Sequence, residues 1–154
     1  MLVEGDEAPE VALTDIEGKI IRPTDFKGQK LVIYFYPKDD TSGCTSEAQA
    51  FSALADEFGK AGTWILGISK DDSKSHRKFI AKYGLKVALA SDADGAGCQA
   101  FGTWTEKSMY GRRYMGIERA TFLVDRDGIV KRIWRKVKVT GHAQEVLAAA
   151  RELP

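Results

Sequence analysis

Leu31-Val32-Ile33-Tyr34-Phe35-Tyr36-Pro37-Lys38-Asp39-Asp40-Thr41-Ser42-Gly43-Cys44-Thr45-Ser46-Glu47 is the stretch from which the fold follows. Its first six residues are apolar or aromatic without a polar interruption, the pattern of a strand buried on both faces. Turn-forming residues come next, and a cysteine stands where strand-like patterning gives way to helical spacing. Ala48, Phe51, Ala55 and Phe58 continue that spacing, which predicts one helix from Cys44 that ends in the Gly59–Gly62 region. A thiol in the first turn of a helix faces unpaired backbone N–H groups and the positive end of the helix dipole, and both favour thiolate over thiol. Cys44 is one of only two cysteines, so it reads as chemistry rather than packing.

Working outward, Val11-Ala12-Leu13 and Lys19-Ile20-Ile21 flank Asp15-Ile16-Glu17-Gly18 as a small hairpin. Beyond the central stretch, Thr63 to Ser69 is a second strand. Asp72-Ser73 then cap a helix that carries Phe79, Ile80 and Tyr83 and closes at Gly84. Val87 to Ala90 is a short strand, and Asp92 to Phe101 a glycine-containing helix that holds Cys98. The stretch from Gly102 to Gly116 reads as irregular. Ala120 to Asp125 and Ile129 to Val137 form a hairpin through Asp125-Arg126-Asp127-Gly128, and a last helix runs from His142 to Glu152. This order predicts an α/β protein with a central mixed sheet flanked by helices, parallel at first with right-handed crossovers and antiparallel at its end. It matches a thioredoxin-like fold with an N-terminal β-hairpin added. A length of 154 residues suits a single domain, 1–154.

Hydrophobic content of 44% and charged content of 29% are those of an ordinary globular protein. Lys plus Arg number 23 against 22 Asp plus Glu, so no global field points to nucleic acid or to a membrane surface. The basic run Lys131–Lys138 is interleaved with Ile133, Trp134 and Val137, which suits a strand with one wet face. The N-terminus lacks a basic segment followed by an apolar one, and no window approaches a membrane span. The expected location is cytoplasmic, where a permanent disulfide between two cysteines is disfavoured.

The pattern Pro37-x-x-x-Thr41-x-x-Cys44 resembles the active-site motif of the peroxiredoxins, and its surroundings resemble the bacterioferritin-comigratory, or Q-type, subfamily. Gly5-Asp6-Glu7-Ala8-Pro9, Ile65–Asp71 and Gly116–Leu123 extend the resemblance over essentially the whole chain. It implies a thiol-dependent peroxidase that reduces hydrogen peroxide and alkyl hydroperoxides. Cys44 would attack the terminal peroxide oxygen and become a sulfenic acid, with Thr41, Arg119 and Pro37 completing the catalytic set. The chemistry suits these residue types. A hydroxyl and a guanidinium favour the thiolate and hold the peroxide oxygens, arginine presents a rigid charged fork, and proline shapes the loop without a competing N–H. Glu47 either accepts a hydrogen bond from Arg119 or is a first-turn acid favoured by the dipole. Tyr36 reads as a core aromatic, and Trp104 as a candidate lining residue.

No cofactor or metal is implied. The implied partners are a peroxide and a thiol reductant such as thioredoxin, glutaredoxin or glutathione, and the implied state is a monomer. Ser42 stands where the family usually has a second proline, and its hydroxyl is a candidate helix cap. Relatives that resolve the sulfenic acid internally place a cysteine at positions that are Gln49 or Ile80 here. Cys98 is the only other thiol, and it is either a resolving cysteine or a small buried hydrophobe.

Other chemistries fit less well. A dithiol oxidoreductase needs Cys-x-x-Cys, but positions 41 and 47 hold Thr and Glu. A cysteine hydrolase needs a histidine base, and His76 and His142 both read as solvated surface residues. Zinc needs close ligand pairs, which Cys44, His76, Cys98 and His142 do not form along the chain. A thiol-based peroxide sensor shares the Cys44 chemistry and differs only in passing the oxidation to a partner protein.

Overall fold

The computed structural model describes residues 1–154. Its frame is a seven-stranded mixed sheet. The apolar stretch forms β3 (Lys30–Phe35) at the middle, every residue of it buried. On one side β3 pairs in parallel with β4 (Thr63–Ser69), which pairs in parallel with β5 (Ala88–Ser91). The N-terminal hairpin of β1 (Leu13–Thr14) and β2 (Ile20–Ile21) closes that edge, with Thr14 opposite Ser91. On the other side β3 runs antiparallel to β8 (Ala120–Val124), and β8 pairs with β9 (Val130–Trp134) through the predicted turn.

The two faces of β3 belong to two cores. Val32, Tyr34 and Tyr36 enter a cluster with residues of helix α3 (Ser73–Tyr83) and helix α5 (His142–Glu152). Leu31, Ile33 and Phe35 enter a second cluster with Cys98, Phe101 and Phe122. Helix α3 begins and ends as its caps predict: the Asp72 carboxylate accepts from the Ser75 N–H, and Gly84 takes a left-handed φ of 59°.

Four expectations need correction. The helix predicted to run on to Phe58 is two, α1 (Ser42–Ala53) and α2 (Ala55–Lys60), broken at Leu54, whose ψ is 5°. The apolar spacing survives the break because Phe51 and Phe58 still meet in one core, with ring centroids 6.0 Å apart. The helix predicted over Asp92–Phe101 shortens to α4 (Ala96–Ala100), because the Asp92 carboxylate lies outside it and accepts from the N–H groups of Gly97 and Cys98 at 2.8 and 2.7 Å.

The stretch read as irregular is a separate two-stranded hairpin of β6 (Trp104–Met109) and β7 (Arg112–Ile117). Tyr110 and Gly111 turn it with φ of 52° and 77°. Both faces of the hairpin are largely exposed, so it carries no alternation for periodicity to detect.

Neither histidine is solvated. His76 is fully buried between the Asp39 carboxylate and the Ala90 carbonyl, while buried His142 lies 2.8 Å from the Thr121 hydroxyl and packs on Phe51 and Trp134. Partners on other strands and helices hold both rings inside.

Two glycines test how closely the sheet is packed. A Cβ on Gly67 of β4 would lie 2.6 Å from the Tyr34 ring and 2.8 Å from Leu89, whereas one on Gly59 of α2 would meet nothing within 4 Å. Gly67→Ala is expected to destabilise the protein by about 2 kcal/mol through overpacking. Gly59→Ala should instead stabilise it by about 0.5 kcal/mol through helix propensity. Urea unfolding of both variants measures the two opposite signs.

Candidate active site

The backbone of Tyr36 still bonds to β4, its N–H donating to the Ile68 carbonyl, before the chain turns through Pro37–Thr41 into α1. Thr41 is the N-cap residue, and its carbonyl accepts the first helical bond from Thr45. The Thr41 hydroxyl does not cap the helix; it donates back to the Lys38 carbonyl at 2.8 Å. Ser42 takes the first helical position, where proline is favoured because the N–H there has no intrahelical partner. Serine at that position leaves the start of the helix in place, and Thr41 rather than Ser42 is the cap. Cys44 is the third residue of α1 and is buried, in the helix turn whose N–H groups lack intrahelical partners.

Arg119 reaches this sulfur from the opposite direction. It directly precedes β8, and the register that sets Ala120 against Phe35 brings it to the end of β3 where α1 begins. Its guanidinium forks: Nη2 donates to Cys44 Sγ at 3.4 Å and Nη1 to Glu47 Oε1 at 2.6 Å. Glu47 lies one helical turn beyond Cys44, so one arginine spans both side chains. Of its two readings, the structure favours the partner of Arg119. Burial pushes the Glu47 carboxyl up to about 7 against the pull of Arg119, and its Oε2 has no partner. Gly43 completes the approach, since a Cβ there would stand 3.2 Å from Arg119 Nη2.

Cys44 and Arg119 thus meet, with Thr41 at the N-cap of the same helix and Pro37 in the exposed turn that leads to it. Tyr36 is a core residue, and its hydroxyl donates to Asp39. Trp104 packs against the other core and lies beneath the Lys70 ammonium, 4.5 Å from its ring centroid. Gln49 is exposed and Ile80 packs into the Cys44-side core. Cys98 is unpaired, like Cys44, but fully buried in the cluster on the far face of β3. Burial and the neighbouring Asp92 push its thiol up to about 12.

Sequence reasoning passed over Gly43 and the polar residues behind the loop, buried Asp39 and half-buried Asp71, and read buried His76 as a surface residue. The proximity of Asp39 to the motif was the one available signal. Its partners Asp71 and His76 lie more than thirty residues away along the chain.

Comparison with known proteins agrees with this fold. Residues 4–133 match the AhpC/TSA family. The chain is 57% identical to peroxiredoxin Bcp of Xanthomonas campestris over 122 residues, covering 79% of this chain and 76% of that protein. It is 42% identical to peroxiredoxin Bcp of Escherichia coli K12, over 95% of this chain and 94% of that one. Two solved structures superpose closely. One is the Xanthomonas campestris bacterioferritin comigratory protein, studied as trapped intermediate and ligand complexes for its alkyl peroxide reduction, with a TM-score of 0.87 and 50% identity over 92% of this chain and 90% of that one. The other is a mutant of PrxQ from Xylella fastidiosa, with a TM-score of 0.91 and 38% identity over 97% and 95% of the two chains. The match along most of the chain, the identity to these relatives and the shared fold together place this chain in the AhpC/TSA family as a peroxiredoxin of the Bcp type.

Proposed function

We propose that Cys44 is the peroxidatic nucleophile and that Thr41, Arg119 and Pro37 form its catalytic surroundings. The observation that carries this reading is the Arg119 fork, which holds Cys44 Sγ with one nitrogen and Glu47 with the other. In the proposed step the Cys44 thiolate attacks the terminal oxygen of the peroxide. An S–O bond forms as the O–O bond breaks, the sulfur is oxidised to sulfenic acid, and the departing oxygen takes a proton and leaves as water or alcohol. Arg119 and the first-turn N–H groups stabilise the charge that grows on the leaving oxygen. The Thr41 hydroxyl commits its proton to Lys38, so its lone pairs are free to accept from the peroxide O–H.

The proposed substrates are hydrogen peroxide and alkyl hydroperoxides, and alkyl peroxide reduction is described for the related Xanthomonas protein. The sulfenic acid then returns to thiol by way of an outside thiol. That thiolate attacks the Cys44 sulfur and expels water to give a mixed disulfide. A second thiol reduces the mixed disulfide, as thioredoxin, glutaredoxin or glutathione would. A one-cysteine cycle is supported by Gln49 and Ile80, which have no sulfur, and by Cys98, which lies in the opposite core as a protonated thiol. We assign the protein a monomeric, cytoplasmic peroxidase role. No helix is long and apolar enough to cross a membrane.

Cys44→Ser is expected to abolish peroxide turnover in a coupled assay, and retained turnover would remove Cys44 from the mechanism. Arg119→Met should slow oxidation of Cys44 by about a hundredfold, the effect of losing one preorganised donor to a developing oxyanion. Stopped-flow fluorescence reads that rate.

Intact mass after one equivalent of hydrogen peroxide, without reductant, should show addition of oxygen in both the wild type and Cys98→Ser. Loss of two hydrogens in the wild type, replaced by oxygen addition in the variant, would make Cys98 a resolving thiol. Multiple turnovers with a small thiol would separate the enzyme from a peroxide sensor, which would instead accumulate as a mixed disulfide with one protein.

A further inference from the structure

The loop that presents Thr41 is fastened from behind by polar groups that the proposed mechanism does not use. The Asp39 side chain is buried. Its Oδ1 accepts from the Tyr36 hydroxyl at 2.5 Å, and its Oδ2 accepts from the Ser75 hydroxyl at 2.8 Å and lies 2.8 Å from His76 Nδ1. His76 Nε2 in turn meets the Ala90 carbonyl of β5 at 3.0 Å. Burial opposes the charge on Asp39, but His76 and Tyr36 hold its carboxyl below the usual carboxylate range. The side chain of this residue is thereby locked to β3, α3 and β5.

Its backbone is held separately. The Asp39 N–H donates to Asp71 Oδ2 at 2.8 Å, and the same oxygen accepts from the Ser69 hydroxyl at 2.6 Å. That N–H belongs to the peptide unit whose carbonyl is Lys38, the carbonyl that takes the Thr41 proton at 2.8 Å. A peptide unit is planar and turns as one body, with N–H and C=O pointing opposite ways. An acceptor fixed on its N–H edge therefore aims its C=O edge. A carboxylate at the N–H also polarises the amide and makes the carbonyl a stronger acceptor.

We propose that Asp71 is a positioning residue for peroxide reduction: through the Lys38–Asp39 peptide it fixes where the Thr41 hydroxyl sends its proton, and so keeps the Thr41 lone pairs turned toward the peroxide. The inference rests on the Thr41 role proposed above. Asp71 touches neither sulfur nor substrate in this scheme. With Asp71 truncated, the peptide loses the anchor on its N–H edge, and the Thr41 proton can leave the Lys38 carbonyl and point into the space the peroxide would occupy. The hydroxyl then becomes a donor where an acceptor is required. Peroxide reduction suffers, while the reactivity of Cys44 toward an electrophile that brings no O–H does not.

The test is a double-mutant cycle on the rate constant for oxidation of Cys44 by hydrogen peroxide, using the full-length wild type, D71A, T41V and D71A/T41V. Iodoacetamide alkylation of the same proteins serves as the second readout. D71A is expected to slow the peroxide reaction on the order of tenfold, as misdirection of a substrate-orienting group does. It should leave alkylation within about twofold, and it should add nothing to T41V. D71N keeps an acceptor oxygen at that place and should recover most of the rate.

Multiplicative slowing in the double mutant would overturn the inference, as would a parallel fall in alkylation or a D71A rate equal to wild type beside a slow T41V. A T41V rate equal to wild type would bring down the Thr41 reading itself, and the inference with it. If D71A does not fold, D71S, whose side chain is too short to reach the Asp39 N–H, takes its place in the cycle.

Discussion

The antiparallel register between β3 and β8 is the constraint on which the site depends. Ala120 sits opposite Phe35, Phe122 opposite Ile33 and Val124 opposite Leu31. Side chains alternate across a strand, so a slip of one residue would turn every β8 side chain to the other face. Phe122 would leave its contacts with Phe35 and Phe101, whose ring centroids lie 5.8 and 5.0 Å away. Arg119 would lose its approach to the start of α1. The aromatic packing that stabilises one core thus also sets the position of the guanidinium in the other.

That guanidinium lies in a costly environment. Arg119 and Glu47 are both largely out of water, with side-chain exposures of 17% and 2%, and one Glu47 oxygen has no partner. A buried pair of this kind contributes little net stability, because desolvation offsets much of its attraction. Replacing the pair with well-packed apolar residues would remove that penalty, yet the chain keeps both residues. The geometry accounts for this: Glu47 holds one arm of the fork, so the other arm remains on the Cys44 sulfur. Gly43 is the backbone counterpart of the same arrangement, since any side chain there would crowd Nη2.

Most of the sheet and its crossover helices were legible because burial is written in apolar patterns. The six-residue run of β3, the strand Thr63–Ser69, and the Asp72 and Gly84 caps of α3 all act over short stretches of chain. Features decided by distant partners were not legible. The β6–β7 hairpin shows no alternation because water covers most of both faces. His76 and His142 look like surface residues until Asp39, Ala90 and Thr121 arrive from other elements. At the site, the motif marks Pro37, Thr41 and Cys44, and Arg119 was found through resemblance rather than spacing. Asp71 was invisible as a neighbour of Thr41, because the link runs through a peptide plane and not through a side chain.

The position of the second thiol shows how strongly the sheet limits the chemistry. A disulfide needs Cα atoms within about 7 Å and Cβ vectors that converge. Cys44 and Cys98 both follow parallel strands, and sequence position alone makes them look like neighbours. The two strands send their helices to opposite faces, however, so Cys44 joins the core of Tyr34 and Phe51 while Cys98 joins that of Phe35 and Phe101. The Asp92 carboxylate then holds α4 by the N–H of Cys98 itself. Bringing the sulfurs together would require α4 to leave its cap and its core, or α1 to unwind from the end that Arg119 holds. Segments can open locally at a free-energy cost set by the contacts they break. For Cys98 those contacts include a fully buried side chain and two charge-assisted hydrogen bonds. The exposed helix start at Thr41–Gly43 lies much nearer the solvent, and that difference in access favours an incoming thiol over the one already in the chain.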